Sequence, residues 1–216
     1  MNPQEEALLD YCERHSTAEH EWLQMCVRKT HLKHLNPRML SGHVQGRLLS
    51  LFSGLMKPNL VLDIGTFTGY SAMCLAEGLA PQGKVITLEE DVELERSIRE
   101  HIAASPFADQ IEPVFEDALL WLGNHAQLQP DIIYLDADKS RYPQYLPLLL
   151  SMMRPNSMLI ADNTLWSGKV LDAGTTHKDT DTQAIDQFNK MLAAQEQLEV
   201  FLLPLRDGLS IARKKN

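Results

Sequence analysis

The chain has little cysteine, few aromatics and no excess of positive charge. Three cysteines in 216 residues, Cys12, Cys26 and Cys74, stand far apart and form no CxxC pair. That scatter argues against a disulfide framework or a zinc site and fits reduced thiols. Cys74 falls in the apolar stretch "SAMCLAEGL", where a buried structural thiol is expected. The formal net charge of -9 argues against a nucleic-acid partner, which calls for a basic face to neutralise phosphates. The basic residues Arg213, Lys214 and Lys215 read as a solvated tail. Long apolar runs are missing too: "YLPLLLSMM" is broken by Pro147 and falls short of the roughly 20 residues a membrane span needs. The opening "MNPQEEALLDYCERH" is acidic, with no basic segment leading into an apolar one, so no secretory signal is expected. A soluble, cytoplasmic protein without nucleic-acid or membrane partners is the expectation.

What is present is enough for one domain with a substantial core: 44% hydrophobic and 23% charged residues. Residues 1–57 read as a helical extension, because "EEALLDYCERH", "AEHEWLQMCVRKT" and "GHVQGRLLSLFSGLM" repeat apolar positions at helical spacing. His31 and His34, three apart, have no further ligands nearby and read as surface or lining residues. From residue 58 strands and helices alternate. "LVLDIG", "KVITLE", "QIEPVF", "DIIYLD" and "SMLIAD" are five apolar strands, separated by "YSAMCLAEGL", "DVELERSIREHIAA", "DALLWLGNH" and "YPQYLPLLLSMM". After the helical "TQAIDQFNKMLAAQ", the strands "LEVFLLPL" and "GLSIARK" meet at a turn around Asp207 and Gly208. This order predicts an α/β fold: a doubly wound, seven-stranded, mostly parallel sheet with one antiparallel edge and helices on both faces.

Ligands of such sheets bind beyond the carboxyl ends of the strands, near the switch in strand order. Asp63, Glu89, Asp136 and Asp162 all stand at strand ends, and Asp117 lies just past another. "LVLDIGTFTGYS" sets Gly65 and Gly69 in a G-x-x-x-G turn with Thr66 between them. That is neither a dinucleotide G-x-G-x-x-G nor a phosphate loop ending in G-K-[ST]. Asp63 would repel a pyrophosphate and suits a cationic ligand such as a sulfonium amino acid. Glu89 can accept two hydrogen bonds from a ribose diol. Asp117 is placed for an adenine amino group and equally for a helix N-cap.

"LVLDIGTFTGYSAMCLAEGL", "YLDADKSRYPQY", "IADNTLWSGKV" and "PLRDGLSIARK" resemble, in order and spacing, the signatures of the metal-dependent class I S-adenosylmethionine O-methyltransferases. These include catechol and caffeoyl-coenzyme A O-methyltransferases; the match covers roughly residues 36 to 213. The resemblance implies a Rossmann-like fold, S-adenosylmethionine as methyl donor and a homodimer. It places Met39 and Ser41 over the donor, Tyr70 and Ser71 by its amino-acid end, Ala118 beside adenine, and Asp136 and Asp138 around the donor pocket. The segment "MLSGHVQG" departs from the usual Ser/Pro-acid-x-Gly version, and Gln45 stands where many relatives have Glu. Ser167 replaces an Asn that touches substrate in the plant enzymes.

Asp136, Asp162 and Asn163 end two strands expected to be neighbours. Two carboxylates and an amide oxygen suit a hard divalent cation, Mg²⁺ first, with Ca²⁺ or Mn²⁺ as alternatives. The resemblance puts its metal ligands on the same three residues. A catechol-like acceptor, chelated through vicinal oxygens, would lose its proton to Lys139. Lys139 also suits a surface pair with Asp138, and Trp166 either stacks on an aromatic acceptor or packs beneath the loop. Acceptor choice is assigned to the amino-terminal helices and the polar loop "DAGTTHKDTDT". A nicotinamide oxidoreductase or a non-catalytic donor-binding protein are the alternative readings.

Overall fold

The structure, a computed structural model, describes residues 3–172 and 179–216. The larger part of the loop expected to steer acceptor choice, residues 173–178, lies outside the described residues. Three helices open the chain, α1 (Pro3–Arg14), α2 (Glu21–Lys33) and α3 (His43–Met56). The core then runs β1 (Leu60–Ile64), α4 (Tyr70–Ala76), β2 (Lys84–Glu89), α5 (Glu95–Ala103), β3 (Ile111–Phe115), α6 (Ala118–Asn124) and β4 (Ile132–Leu135). It ends with α7 (Tyr142–Met152), β5 (Met158–Asp162), α8 (Thr180–Ala193), β6 (Leu198–Leu203) and β7 (Leu209–Lys214). The strand order is β3-β2-β1-β4-β5-β7-β6.

Only β7 runs against the others, pairing antiparallel with both β5 and β6. The reversed strand is thus not the outermost one. Because β6 and β7 form a hairpin, β7 folds back into the gap beside β5 and leaves β6, parallel to the rest, at the rim.

The apolar runs of β1 and β4 are buried on both faces, as helix-covered parallel strands should be. Alternate residues divide between two cores. Leu62, Ile64, Ile133, Leu135, Leu159 and Ala161 pack with α6, α7 and α8. Val61, Val85, Ile132, Tyr134 and Ile160 face α2, α3, α4 and α5. The amino-terminal extension is joined to this second layer by polar contacts as well. Arg47 on α3 makes a two-pronged pair with Glu77 just past α4, at 2.8 and 2.9 Å, and Ser50 donates to the same carboxylate. Both charged side chains are nearly buried, so losing either partner would strand the other and cost about 3–5 kcal/mol.

Strand order reverses between β1 and β4, and the ends of these two strands are pressed together. Gly65 has φ +102°, and a Cβ there would lie 2.0 Å from the Asp136 carbonyl oxygen. Only glycine meets both conditions. The turn after β1 is thereby fixed against the residue that ends β4.

Candidate active site

A shallow, open cleft sits at this switch point, lined by Met39, Leu40, Ser41, Gly65, Thr66, Phe67, Tyr70, Ser71 and Asp136. Seven of the residues expected around the methyl donor therefore come together on one surface. Tyr70 is buried, with its hydroxyl donating to Glu19 from the link between α1 and α2. Ser71 reaches back to Asp63 at 3.2 Å, and Thr87 donates to the same carboxylate at 2.6 Å. Burial pushes the Asp63 carboxyl up to about 7, the two hydroxyls pull it down, and Asp136 and Glu89 add repulsion. A fully buried carboxylate thus lies behind the cleft, joined to its lining through Ser71.

Glu89, at the end of β2, accepts from the Phe67 amide at 2.7 Å and the Asp91 amide at 3.0 Å. Burial nevertheless raises its carboxyl above the usual range. The adenine-side expectations fall further out. Asp117 caps α6 through the Leu120 amide at 2.8 Å and accepts from Arg141 at 2.6 Å. The Arg141 guanidinium holds its carboxyl below the ordinary value. Both oxygens are thus engaged, and an adenine amino group would have to share them. Ala118 is buried in the first turn of α6. Asp138 is an exposed cap, accepting from the Ser140 amide and hydroxyl at 3.0 and 2.9 Å, and does not line the cleft.

The second cluster lies on the next strand. Leu135 pairs with Ala161, which sets Asp136 and Asp162 side by side at the ends of β4 and β5. Burial and repulsion from Asp136 push the Asp162 carboxyl up to about 6. Its Oδ1 accepts from the Asn163 amide at 2.7 Å, while Oδ2 accepts from Gln45 at 2.6 Å and from the Tyr134 hydroxyl at 2.9 Å. Asn163 holds a left-handed φ of 58°, a conformation that Asn tolerates better than most residues. Two crowded carboxylates, with the Asn163 side chain on the next residue as a further oxygen donor, make a donor set that a hard divalent cation would relieve, so these residues fit one.

Lys139 is almost fully enclosed and donates to Asp136 Oδ1 at 2.6 Å, the Ala137 carbonyl at 3.0 Å and the Tyr142 hydroxyl at 3.1 Å. It pairs with Asp136, not with Asp138. Burial disfavours its ammonium, but the Asp136 carboxylate and the Tyr142 oxygen outweigh that, and its pKa sits above the ordinary lysine value. Trp166 is half buried, at φ 48°, with its Nε1 buried and unpartnered among the described residues. His31 and His34 bind a backbone carbonyl and Ser97 respectively, which matches a surface and lining role.

Three contributors went unread in the sequence: Tyr134, Tyr142 and the Asp207–Gly208 turn as more than a hairpin end. Tyr142 donates to the Leu135 and Asp162 carbonyls at 3.0 and 3.1 Å, bridging the two strand ends. A tyrosine inside an otherwise aliphatic strand, as in "IIYL", was the available signal for Tyr134, since a buried phenol needs a partner.

Sheet order, a glycine turn over a buried acid and a second acid cluster one strand away define a doubly wound α/β protein with two adjoining acid clusters at its switch point. A family model described as O-methyltransferase matches residues 13–215. The chain is 32% identical to catechol O-methyltransferase domain-containing protein 1 of Mus musculus, covering 99% of this chain and 82% of that one. It is 31% identical to a catechol O-methyltransferase of Niastella koreensis, over 78% and 79% of the two chains. A Bacillus cereus O-methyltransferase solved with SAH superposes with a TM-score of 0.89 at 28% identity, covering 97% of each chain. The Streptomyces achromogenes O-methyltransferase of tomaymycin synthesis, solved with SAM, gives 0.90 at 27% identity and full coverage of both. The chain belongs to the class I S-adenosylmethionine-dependent O-methyltransferase family and is an enzyme of that class. The nicotinamide and non-catalytic readings fall with that assignment.

Proposed function

We propose that this enzyme methylates one hydroxyl of a small aromatic vicinal diol, using S-adenosylmethionine and a divalent cation, Mg²⁺ first. The observation that carries the reading is the placement of Asp136. It lines the donor cleft, stands beside Asp162, and holds the Lys139 ammonium at 2.6 Å. One residue thus joins the donor subsite, the cation ligands and the base.

Asp136, Asp162 and Asn163 are the residues that would hold the cation. When bound, it supplies Lewis-acid lowering of the acceptor hydroxyl pKa. Asp136 is the main partner that keeps the Lys139 proton against burial, so a cation drawing on that carboxylate would leave burial to favour neutral Nζ. Neutral Nζ is the group that takes the acceptor's proton. On the donor side Glu89 accepts from the ribose hydroxyls, and Asp63, Tyr70 and Ser71 take the amino-acid end. Met39 and Ser41 cover the donor and exclude water from the transfer. Trp166, whose indole N–H has no partner among the described residues, is the stacking surface for the acceptor ring.

The catechol class is also supported by the printed names of relatives from Mus musculus and Niastella koreensis. A homodimer and a cytoplasmic setting belong to the same reading. No helix among the described residues is long and apolar enough to cross a membrane. The test is purified protein with donor, Mg²⁺ and a catechol panel, read by mass spectrometry, with size-exclusion light scattering for the dimer. Methylation that survives EDTA, or no methylation of any member, would overturn the reading.

A further inference from the structure

After β5 the backbone takes a costly path. Asn163, Trp166, Ser167 and Gly168 have φ of 58°, 48°, 53° and 78°, and three of these four are not glycine. Such conformations persist only where the surroundings over-determine them. Here the surroundings are two residues of the β6–β7 turn. The Gly208 carbonyl accepts from the Thr164 amide at 3.0 Å, and the Asp207 carbonyl from the Leu165 and Trp166 amides at 2.7 and 3.3 Å. The Asp207 carboxylate takes the Ser167 amide at 2.8 Å and its hydroxyl at 3.2 Å. Four consecutive N–H groups thus end on one dipeptide. Gly208, at φ +88°, allows the approach, because a Cβ there would lie 2.5 Å from the Leu165 side chain.

The residue before them points the other way. Arg206 Nη1 donates to the Leu40 carbonyl at 3.0 Å, between the two residues placed over the donor. A hairpin needs none of these contacts in order to turn. We propose that Arg206–Asp207–Gly208 is a positioning device for the transfer. Asp207 sets the loop carrying Asn163 and Trp166, Arg206 sets the segment carrying Met39 and Ser41, and one rigid turn fixes the spacing of acceptor and donor. Holding two reactants in register is a large part of catalysis in such a transfer, and a 1 Å displacement can cost about 100-fold.

The inference rests on the proposed acceptor and donor sides. Its test compares Asp207→Ala, Asp207→Asn and Arg206→Ala with the native enzyme by steady-state kinetics, calorimetry with S-adenosylhomocysteine, and hydrogen exchange. Asp207→Ala should raise the catechol KM about tenfold and leave S-adenosylhomocysteine affinity within about twofold, while Arg206→Ala should do the reverse. Asp207→Asn, whose amide oxygen still accepts from Ser167, should recover most of the loss. Exchange should quicken at Ser167 and Gly168, beside the lost carboxylate, in Asp207→Ala alone and over 39–42 in Arg206→Ala alone. Equal changes in both constants, or exchange that loosens everywhere, would overturn the proposal. If the native enzyme methylates no catechol, the functional reading fails separately, and the exchange pattern still decides for or against the clamp.

Discussion

The Gln45 side-chain amide donates to Asp162 Oδ2 at 2.6 Å and to the Tyr134 hydroxyl at 2.8 Å, tying α3 to the end of β5. The helical extension is thereby fastened to the acid cluster at the β5 end, while the segment before it, Met39 to Ser41, lines the cleft. Gln45 Oε1 is buried with no partner among the described residues, so the amide is held for what its nitrogen does. Gln45→Leu should lower stability in urea by about 1–3 kcal/mol, the cost of a buried charge-assisted bond. Gln45→Glu should be worse at pH 8 than at pH 5, because two carboxylates in contact cannot both ionise. An equal loss at both pH values would contradict this account.

Asp63 gives a second pH signature. Its carboxyl rises from 3.8 to about 7 on folding, so between those values the folded protein binds the proton that the unfolded chain releases. Its contribution is complete below pH 4 and lost as pH climbs through 7. Asp63→Asn should flatten the fall in stability of the ligand-free protein between pH 5 and pH 8, by a few kcal/mol on the order-of-magnitude scale of such shifts. The same change should weaken S-adenosylhomocysteine binding at least about tenfold. Denaturation curves at the two pH values read the first effect and calorimetry the second; an unchanged slope would remove Asp63 as its source.

Lys139 separates binding from chemistry. Its three hydrogen bonds are to Asp136, Ala137 and Tyr142, and of these only Asp136, which Lys139→Ala leaves in place, lines the donor cleft. Lys139→Ala should therefore lower kcat by about 100-fold or more, with S-adenosylhomocysteine affinity within about twofold. Loss of both in equal measure would make Lys139 a structural cation and not the base.

The parallel strands were legible because "LVLDIG", "DIIYLD" and "SMLIAD" are apolar runs with an acid at or next to their ends, a pattern with few other solutions. The paired strand ends were legible for the same reason: acids at successive carboxyl termini must converge once the sheet is parallel. The position of β7 inside the rim was not, since a hairpin's sequence says that two strands pair but not which one joins the sheet. Nor were the roles of Gln45 and Asp207. Each acts on a residue more than 35 positions away, Gln45 on Asp162 and Asp207 on Ser167, and no local spacing encodes such a contact.

The cation reading makes the sharpest demand on Asp162. Without a cation, burial and Asp136 already push its carboxyl up to about 6, so a bound divalent ion should release a proton near that pH and tighten as pH rises. Mn²⁺ titrated by electron paramagnetic resonance should bind more strongly at pH 8 than at pH 6. Asp162→Ala should weaken that binding at least about tenfold, as loss of a charged oxygen ligand requires. S-adenosylhomocysteine binding should survive, because Asp162 does not line the donor cleft. Turnover restored to EDTA-treated native enzyme by Mg²⁺, but not to Asp162→Ala, completes the expectation. Mn²⁺ affinity that ignores both pH and Asp162 would place the ion elsewhere and leave Asp162 as the anchor of Gln45 and Tyr134 alone.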